Sequence, residues 1–541
     1  MRATSFARVA ATVDESDASA AAPARFEGLP DRLSLRTFVA RNRWMQLVVT
    51  VTIFAVFLPV VIVPYAFSDD YTDLWMAVSG QPTAQFGKNI IDASAITGRP
   101  FSGLLLQGFF QAAGKIDNLR FVRLFGVLTI VALALLLHWA LVRSRIKSAV
   151  AALIAVLVCT LPAFLVYGSW AVLFSAPLAA LLAGGASLFA VASVDGPHHL
   201  ARDRLLGALA LMFAALLVYQ PAAMFFWVFF VIALAGAAEE PRRSLRLVWT
   251  HFGIGGAALA LAYLEIKVTV LIMGSATRGA SRNHVTHDVA GKARWFFREP
   301  LYRSLNLFDL TPTPWFAALV TTVAAGGIVI WLLRRGARPL LYIGVGLILV
   351  PLTYLSNLVV VEAWAAYGTQ VSLSALIALY ACLGALGIWL TLKDWLGPRV
   401  SRQALRTTER VALALSVVFV GTSVVIGAKN VTTLFVVPHI TEQRLLSSQV
   451  AALPEGVPRL VFVQTDWYGG TTNEVVYDEF GLASSVRQWT LEPAVDLILH
   501  DEGRLTFDGP RPVVTIYQSG STEFPKGEPV IDLRRSLAQL R

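Results

Sequence analysis

Apolar runs of about 18 to 25 residues recur along the chain, each long enough to cross a hydrocarbon core of roughly 30 Å. Short polar breaks separate them. The first run extends from about Trp44 to Tyr65, and others cover about 121–142, 148–166, 170–193, 250–273, 314–333, 339–357, 368–391 and 409–428. Residues 205–238 are also apolar but are interrupted by Tyr219-Gln220-Pro221. They are too many for one crossing helix and Pro221 stops the first half, so they read as two short spans. The expectation is an all-α polytopic membrane protein with about eleven transmembrane helices.

The polar breaks carry the orientation signal. Arg36, Arg41 and Arg43 precede the first span, and further clusters follow at Arg143 to Lys147, Glu239 to Arg246, Arg334 to Arg338 and Lys393 to Arg410. Short loops rich in Lys and Arg stay in the cytoplasm. Eleven spans starting inside keep all of these clusters inside and put residues 430–541 outside. The expected plan is a disordered cytoplasmic tail over 1–43, a transmembrane domain over 44–429 with external loops at 66–120 and 274–313, and an extracytoplasmic domain over 430–541. In that last segment Pro458–Val463 and Pro512–Tyr517 read as short strands and Thr441–Leu453 as a helix, which makes a small α/β fold.

Composition narrows the class. The 541 residues are 56% hydrophobic and 15% charged, with a mean hydropathy of +0.62. A soluble chain of this length exposes far more charge, so membrane lipid is a partner. The net charge of +10 is spread over the orienting clusters, which gives no basis for a nucleic-acid partner. Cys159 and Cys382 sit inside apolar runs and suggest no disulfide framework. The sequence has no P-loop, no Gly-x-Ser-x-Gly elbow, no paired-cysteine motif and no His-Glu-x-x-His. Nucleotide hydrolysis, an exposed serine nucleophile and zincin chemistry therefore lack support.

Chemistry-bearing residues concentrate in the loops. Asp69 and Asp70 follow the first span in Phe67-Ser68-Asp69-Asp70-Tyr71, where carboxylates bind metal, accept a proton, or cap a helix at the water boundary. The same loop holds Asp73, Arg99 and an apolar stretch, Phe101 to Phe110, that fits an interfacial helix. Arg278, Arg282, Lys292, Arg294 and Arg298 make 274–313 a basic external loop. Those cations suit a lipid phosphate or diphosphate, or else a helix lying on anionic lipid. His284, His287 and Asp288 share this loop without a fourth partner, so no metal site is assigned. Glu362, Trp364 and Tyr367 resemble a sugar-binding surface, and Gln220 is a candidate to line a polar cavity. Tyr167, Trp170 and Tyr219 read as an interfacial belt. Glu265 and Lys267, inside a span, should face the bundle interior.

With these residues in view, the chain resembles the GT-C superfamily of membrane glycosyltransferases, and within it the bacterial O-antigen-type glucosyltransferase branch. The resemblance rests on Ser68-Asp69-Asp70-Tyr71, Gly98-Arg99-Pro100, Tyr219-Gln220-Pro221 and the stretch from Trp295-Phe296-Phe297 to Leu305-Asn306-Leu307. It covers about residues 45–430 at the level of layout. It implies transfer of a sugar from a polyprenyl phosphate to a cell-envelope glycan or lipid acceptor on the outer face, usually with inversion. Asp69 or Asp70 would be the base, and Arg278, Arg282 or Arg294 would stabilise the departing phosphate. The donor ester supplies the energy, so no nucleotide cofactor is needed, and dependence on Mg²⁺ or Mn²⁺ is left open. The rival readings are a lipid or oligosaccharide flippase and a non-catalytic envelope assembly protein.

Overall fold

The computed structural model describes residues 35–81, 89–273, 284–308, 310, 313–334, 339–465, 479–507 and 509–538. The expected disordered tail falls almost wholly outside the described residues. Backbone polar groups in hydrocarbon must be satisfied within their own segment, so the apolar runs fold as helices. Among the described residues six helices are long and apolar enough to cross a membrane: Phe38–Ile62, Ile116–Arg143, Ala171–Asp195, Pro241–Met273, Val371–Leu396 and Arg402–Ala451. The count is seven if Ser148–Cys159 and Pro162–Ser169, bent by 63°, form one broken span. The protein is a multi-pass helical membrane protein, and the expectation of about eleven spans is overturned.

The reason is continuity. Hydropathy counts apolar residues, whereas a crossing also needs an unbroken helix. Over 205–238 the chain forms Ala201–Val218, with Arg202, Asp203 and Arg204 in its first turn, then the short pieces Gln220–Ala223 and Phe226–Gly236. The run read at 314–333 yields the helix Pro314–Arg334, of which Pro314–Ile330 counts as a shorter apolar helix outside the six, and the run at 339–357 yields only Leu340–Leu352 before it breaks. The parity argument goes with the count, so the arginine clusters do not assign a side to residues 430–541 by alternation.

Residues 44–541 form one compact unit. Its interior is apolar and aromatic: Phe225, Phe226, Phe229 and Phe230 are buried, and Phe230 stacks on His251 at 4.5 Å. Lys267 does not face this interior. It is exposed beside Tyr263, while Glu265 is half-buried and accepts the Thr269 hydroxyl.

The Arg402–Asn430 helix continues through a π-turn, Val431–Val436, into Val437–Ala451. The chain then forms β1 (Arg459–Val463), the helix Gln488–Asp501, β2 (Val513–Tyr517) and β3 (Val530–Asp532). All pairing is parallel in the order β2-β1-β3, with Arg459 opposite Val513 and Phe462 opposite Ile531. Leu460 to Val463 of the central strand are buried, as a strand covered on both faces requires. Three residues of β3 are too few to register as an apolar run. Gln488–Asp501 packs on the helix Asp69–Ser79, which brings the C-terminal region onto the acidic loop.

Candidate functional site

A buried arginine sets the turn that carries the acidic pair. Arg123, in the helix Leu119–Arg143, donates Nε to the carbonyl of Val60 (3.0 Å), Nη1 to that of Tyr65 (2.9 Å) and Nη2 to that of Val63 (3.3 Å). Its guanidinium also lies over the Tyr65 ring at 3.8 Å. One cation thus satisfies the carbonyls where the first helix stops, groups a helix end otherwise leaves open. Asp70 closes the turn from the other side: Oδ2 accepts the Phe67 N–H (3.0 Å) and Oδ1 the Val172 N–H (2.9 Å). Between these two anchors Ser68 adopts φ 50° and ψ −118°. A non-glycine residue there stores about 1–3 kcal/mol of strain and persists only where its surroundings over-determine it.

Those surroundings come largely from the C-terminal region. The Ser68 N–H donates to Ser484 Oγ (3.0 Å), and Arg487 Nη1 donates to Ser68 Oγ (2.8 Å). Ser68 Oγ donates in turn to Asp69 Oδ1 (3.3 Å), which also accepts the Trp489 indole N–H (2.7 Å). Among the described residues Asp69 Oδ2 has no hydrogen-bond partner, and the side chain is half-buried. The Arg487 guanidinium is buried among aromatic rings, 5.8 Å from Phe67, 5.7 Å from Trp170 and 5.6 Å from Trp489. Phe67 stacks on His439 at 4.3 Å.

The segment Glu479–Trp489 is itself pinned at both ends. The buried Glu442 carboxylate accepts the N–H groups of Ser484 and Ser485 and the Ser485 hydroxyl, at 2.8, 2.8 and 2.6 Å. The Gly481 N–H donates to the carbonyl of Leu434 in the π-turn (3.0 Å), a feature frequent at functional sites. Glu479 accepts the N–H groups of Tyr367 (3.2 Å) and Gly368 (3.0 Å), and Phe480 meets the Tyr367 ring at 5.3 Å.

A second cluster adjoins Gly368. Its carbonyl accepts the hydroxyls of Tyr167 (2.7 Å) and Tyr219 (3.4 Å). Arg99 lies over the Tyr219 ring at 4.5 Å and donates Nε to Gln220 Oε1 (2.8 Å). Gln220 Nε2 donates to the Gly98 carbonyl (2.6 Å). Gly98 sits at φ +72°, and a Cβ there would come within 2.6 Å of the Ile266 side chain, so both conformation and space call for glycine. Of the residues expected to bind substrate, Arg99, Gln220 and Tyr367 are thereby brought together.

The basic loop fares differently. Arg278 and Arg282 lie outside the described residues. Lys292 is buried, stands 4.6 Å over Trp295, and donates to the carbonyls of Asn357 (3.3 Å) and Glu362. Its charge is spent on backbone, and burial lowers its pKa. Arg294 and Arg298 are exposed on the helix Val289–Arg298. Asp288 caps that helix through the Gly291 N–H (2.8 Å), and Val285 bridges Val360. Glu362 is half-buried, and the Trp364 carbonyl accepts the Tyr354 hydroxyl (2.8 Å). Among the described residues no three His, Cys, Asp or Glu side chains converge as a metal site.

Burial sets the electrostatics of the acidic turn. It pushes the Asp70 carboxyl up to about 7, with Asp69 adding to the rise and Arg123 and the two amides opposing it. Burial, then the charges of Asp69 and Asp70, raise Asp73 well above the usual carboxylate range. The two aspartates of the pair are therefore unlike: Asp70 has both oxygens engaged by amides, whereas Asp69 keeps one oxygen open.

Sequence reasoning missed Arg123, Glu442, Glu479, Arg487 and Trp489. Arg123 had a signal, a cation inside the apolar run 121–142, which is expensive unless used. The others had none, because their partners lie tens to hundreds of residues away. Tyr167, Trp170 and Tyr219 are not a belt: they are 0%, 7% and 6% exposed, and their rings or hydroxyls belong to this site.

No family model matches the chain, and no curated protein matches it either. Among solved structures it is similar to the archaeal oligosaccharyltransferase AglB from Archaeoglobus fulgidus, bound to an inhibitory peptide and a dolichol-phosphate, with 12% identity and a TM-score of 0.43. A second solved structure, of the Archaeoglobus fulgidus oligosaccharyltransferase tethered through a disulfide to an acceptor peptide containing the NVT sequon, gives 14% identity and a TM-score of 0.42. The first match covers 85% of this chain and 64% of the other, the second 80% and 62%, so the chain spans less than two thirds of the length of either. Likeness this remote assigns no family, substrate or residue role to the chain.

Proposed function

We propose that the protein transfers a sugar from a polyprenyl-phosphate donor to a cell-envelope glycan or lipid acceptor, with Asp69 as the general base. The observation that carries this reading is the asymmetry of the acidic pair: Asp69 has Oδ1 fixed by an indole N–H and Oδ2 open, on a strained turn. A base must sit within hydrogen-bond reach of the proton it takes, and Asp70, with both oxygens held by amides, is the poorer candidate. In the step proposed, the acceptor hydroxyl loses its proton to Asp69 Oδ2 as its oxygen bonds to the anomeric carbon. The bond from that carbon to the phosphate oxygen breaks, and the phosphate leaves with the electron pair. One displacement inverts the anomeric configuration.

Arg99, oriented by Gln220 and Tyr219, is assigned to the departing phosphate, where a fixed guanidinium stabilises growing negative charge. The sequence resemblance to GT-C enzymes supports the substrate class. Arg36, Arg41 and Arg43 at the start of the first spanning helix support a cytoplasmic N-terminus, and with it an acidic turn, one crossing later, on the outer face together with the C-terminal helix Gln488–Asp501 that packs on it. Reporter fusions at about residues 30 and 535 test the orientation.

The deciding experiment uses purified full-length protein in nanodiscs and a panel of undecaprenyl-phosphate glucose, mannose and galactose, with release of the polyprenyl phosphate as readout. Asp69→Asn should cut kcat by roughly 10²-fold or more, with donor KM little changed. Full turnover in that variant, or no turnover of any donor by the native protein, would remove the reading.

A further inference from the structure

The Glu479–Trp489 segment runs from the Arg99–Gly368 cluster to the acidic turn and contacts both. Its last residues reach Asp69 by two routes that converge on a single oxygen. Trp489 Nε1 donates to Oδ1 directly at 2.7 Å, while Arg487 reaches Oδ1 through the Ser68 hydroxyl, over links of 2.8 and 3.3 Å. Thr72 ties the same place down, donating its hydroxyl to the Trp489 carbonyl at 3.2 Å. The donors arrive on a backbone segment locked by the buried Glu442 carboxylate, more than 40 residues earlier in the chain than Ser484.

A carboxylate with one oxygen held by two donors has its rotation stopped, so its second oxygen points one way. Holding a reacting group in a single geometry removes orientational freedom from the barrier, and a supporting layer of hydrogen bonds is the usual means. We infer that Arg487 and Trp489 are positioning residues for Asp69, so the C-terminal region is a working part of the transfer site and not an appended module. The inference rests on the reading of Asp69 as base.

The test removes each donor while keeping its bulk. Trp489→Phe in the full-length protein should lower kcat about tenfold, the size of one lost hydrogen bond to a charged group. KM should stay within about twofold. Arg487→Gln should act in the same direction, and Arg487→Lys should recover part of the loss. The readout that a merely structural role would not move is the double variant: on an Asp69→Asn background, Trp489→Phe should cost nothing further. If Trp489→Phe does not insert, Ser68→Ala cuts the arginine route alone and carries the same comparison. An unchanged kcat in Trp489→Phe beside a collapsed Asp69→Asn would overturn the positioning role and leave the proposed function standing. An equal loss on both backgrounds would also overturn it, because the effect would not pass through Asp69. Full activity of Asp69→Asn would instead defeat the proposed function itself.

Discussion

The acidic turn at Phe67–Asp73 and the basic segment at Val289–Arg303 look equally suited to chemistry as strings of residues, yet the fold uses them in opposite ways. The basic segment turns charge inward: Lys292 donates to the carbonyls of Asn357 and Glu362, and Arg303 donates to that of Ala365 at 2.6 Å. It is a strap over the 354–370 segment. In the acidic turn one carboxylate is consumed, Asp70 by two backbone amides, so that its neighbour can be presented with an oxygen open. A buried charge must find partners or neutralise. Which partners it finds decides whether it builds the scaffold or is left for a substrate.

The largest effect that sharpens this contrast is the roughly 10²-fold loss of turnover expected for Asp69→Asn, set against Lys292→Gln. The latter should leave kcat within about threefold while lowering stability by about 1–3 kcal/mol, because buried carbonyls lose a charged donor. Hydrogen exchange over 289–303 should speed up in that variant, and a collapse of turnover there would erase the distinction.

Next in size is Glu442→Gln. It puts an amide NH₂ among N–H and O–H donors, at a cost of about 1–3 kcal/mol. Because Glu442 holds Ser484 and Ser485, both the melting temperature and the turnover should fall, and exchange protection should be lost first over 479–489. Unaltered protection there would detach the C-terminal segment from the turn.

The pH dependence of stability probes the consumed carboxylate. Burial raises Asp70 from 3.8 to about 7, so the folded protein holds this proton more tightly than the unfolded chain does. Its contribution to stability is complete below about pH 4 and is lost as pH rises to about 7. Burial raises Asp73 and Asp496 as well, so melting temperatures in detergent across pH 4 to 8 should show a fall of which Asp70→Asn removes the part due to Asp70 and leaves the remainder in place. An Asp70→Asn profile that differs from the native one by no pH-dependent amount would contradict the burial of Asp70.

The smallest effects belong to Arg294→Gln and Arg298→Gln. Both side chains are exposed, and each change should shift stability by no more than about 0.5 kcal/mol. Donor KM should stay within about twofold, whereas a tenfold rise would restore the basic segment as a phosphate clamp.

Local pattern determined the parts of this protein that depend on neighbours in the chain. Apolar runs specify helices, because a backbone in hydrocarbon has no other partner than itself. The Val- and Phe-rich runs near Leu460 and Val514 form β1 and β2, and the acidic pair, Arg99 and Gln220 are legible as chemistry in otherwise apolar surroundings. The tertiary structure decided how many of those helices are continuous enough to cross: the stop at Pro221 is legible in the sequence, but the bend before Pro162 and the second interruption between Ala223 and Phe226 are not. It also decided which aspartate is buried and which is open. That choice is made by Arg123, Val172, Arg487 and Trp489, whose separations from Asp70 and Asp69 run from about 50 to more than 400 residues. Hydrogen bonds with fixed geometry act over about 3 Å of space whatever the distance along the chain, and no periodicity in the sequence encodes that closeness.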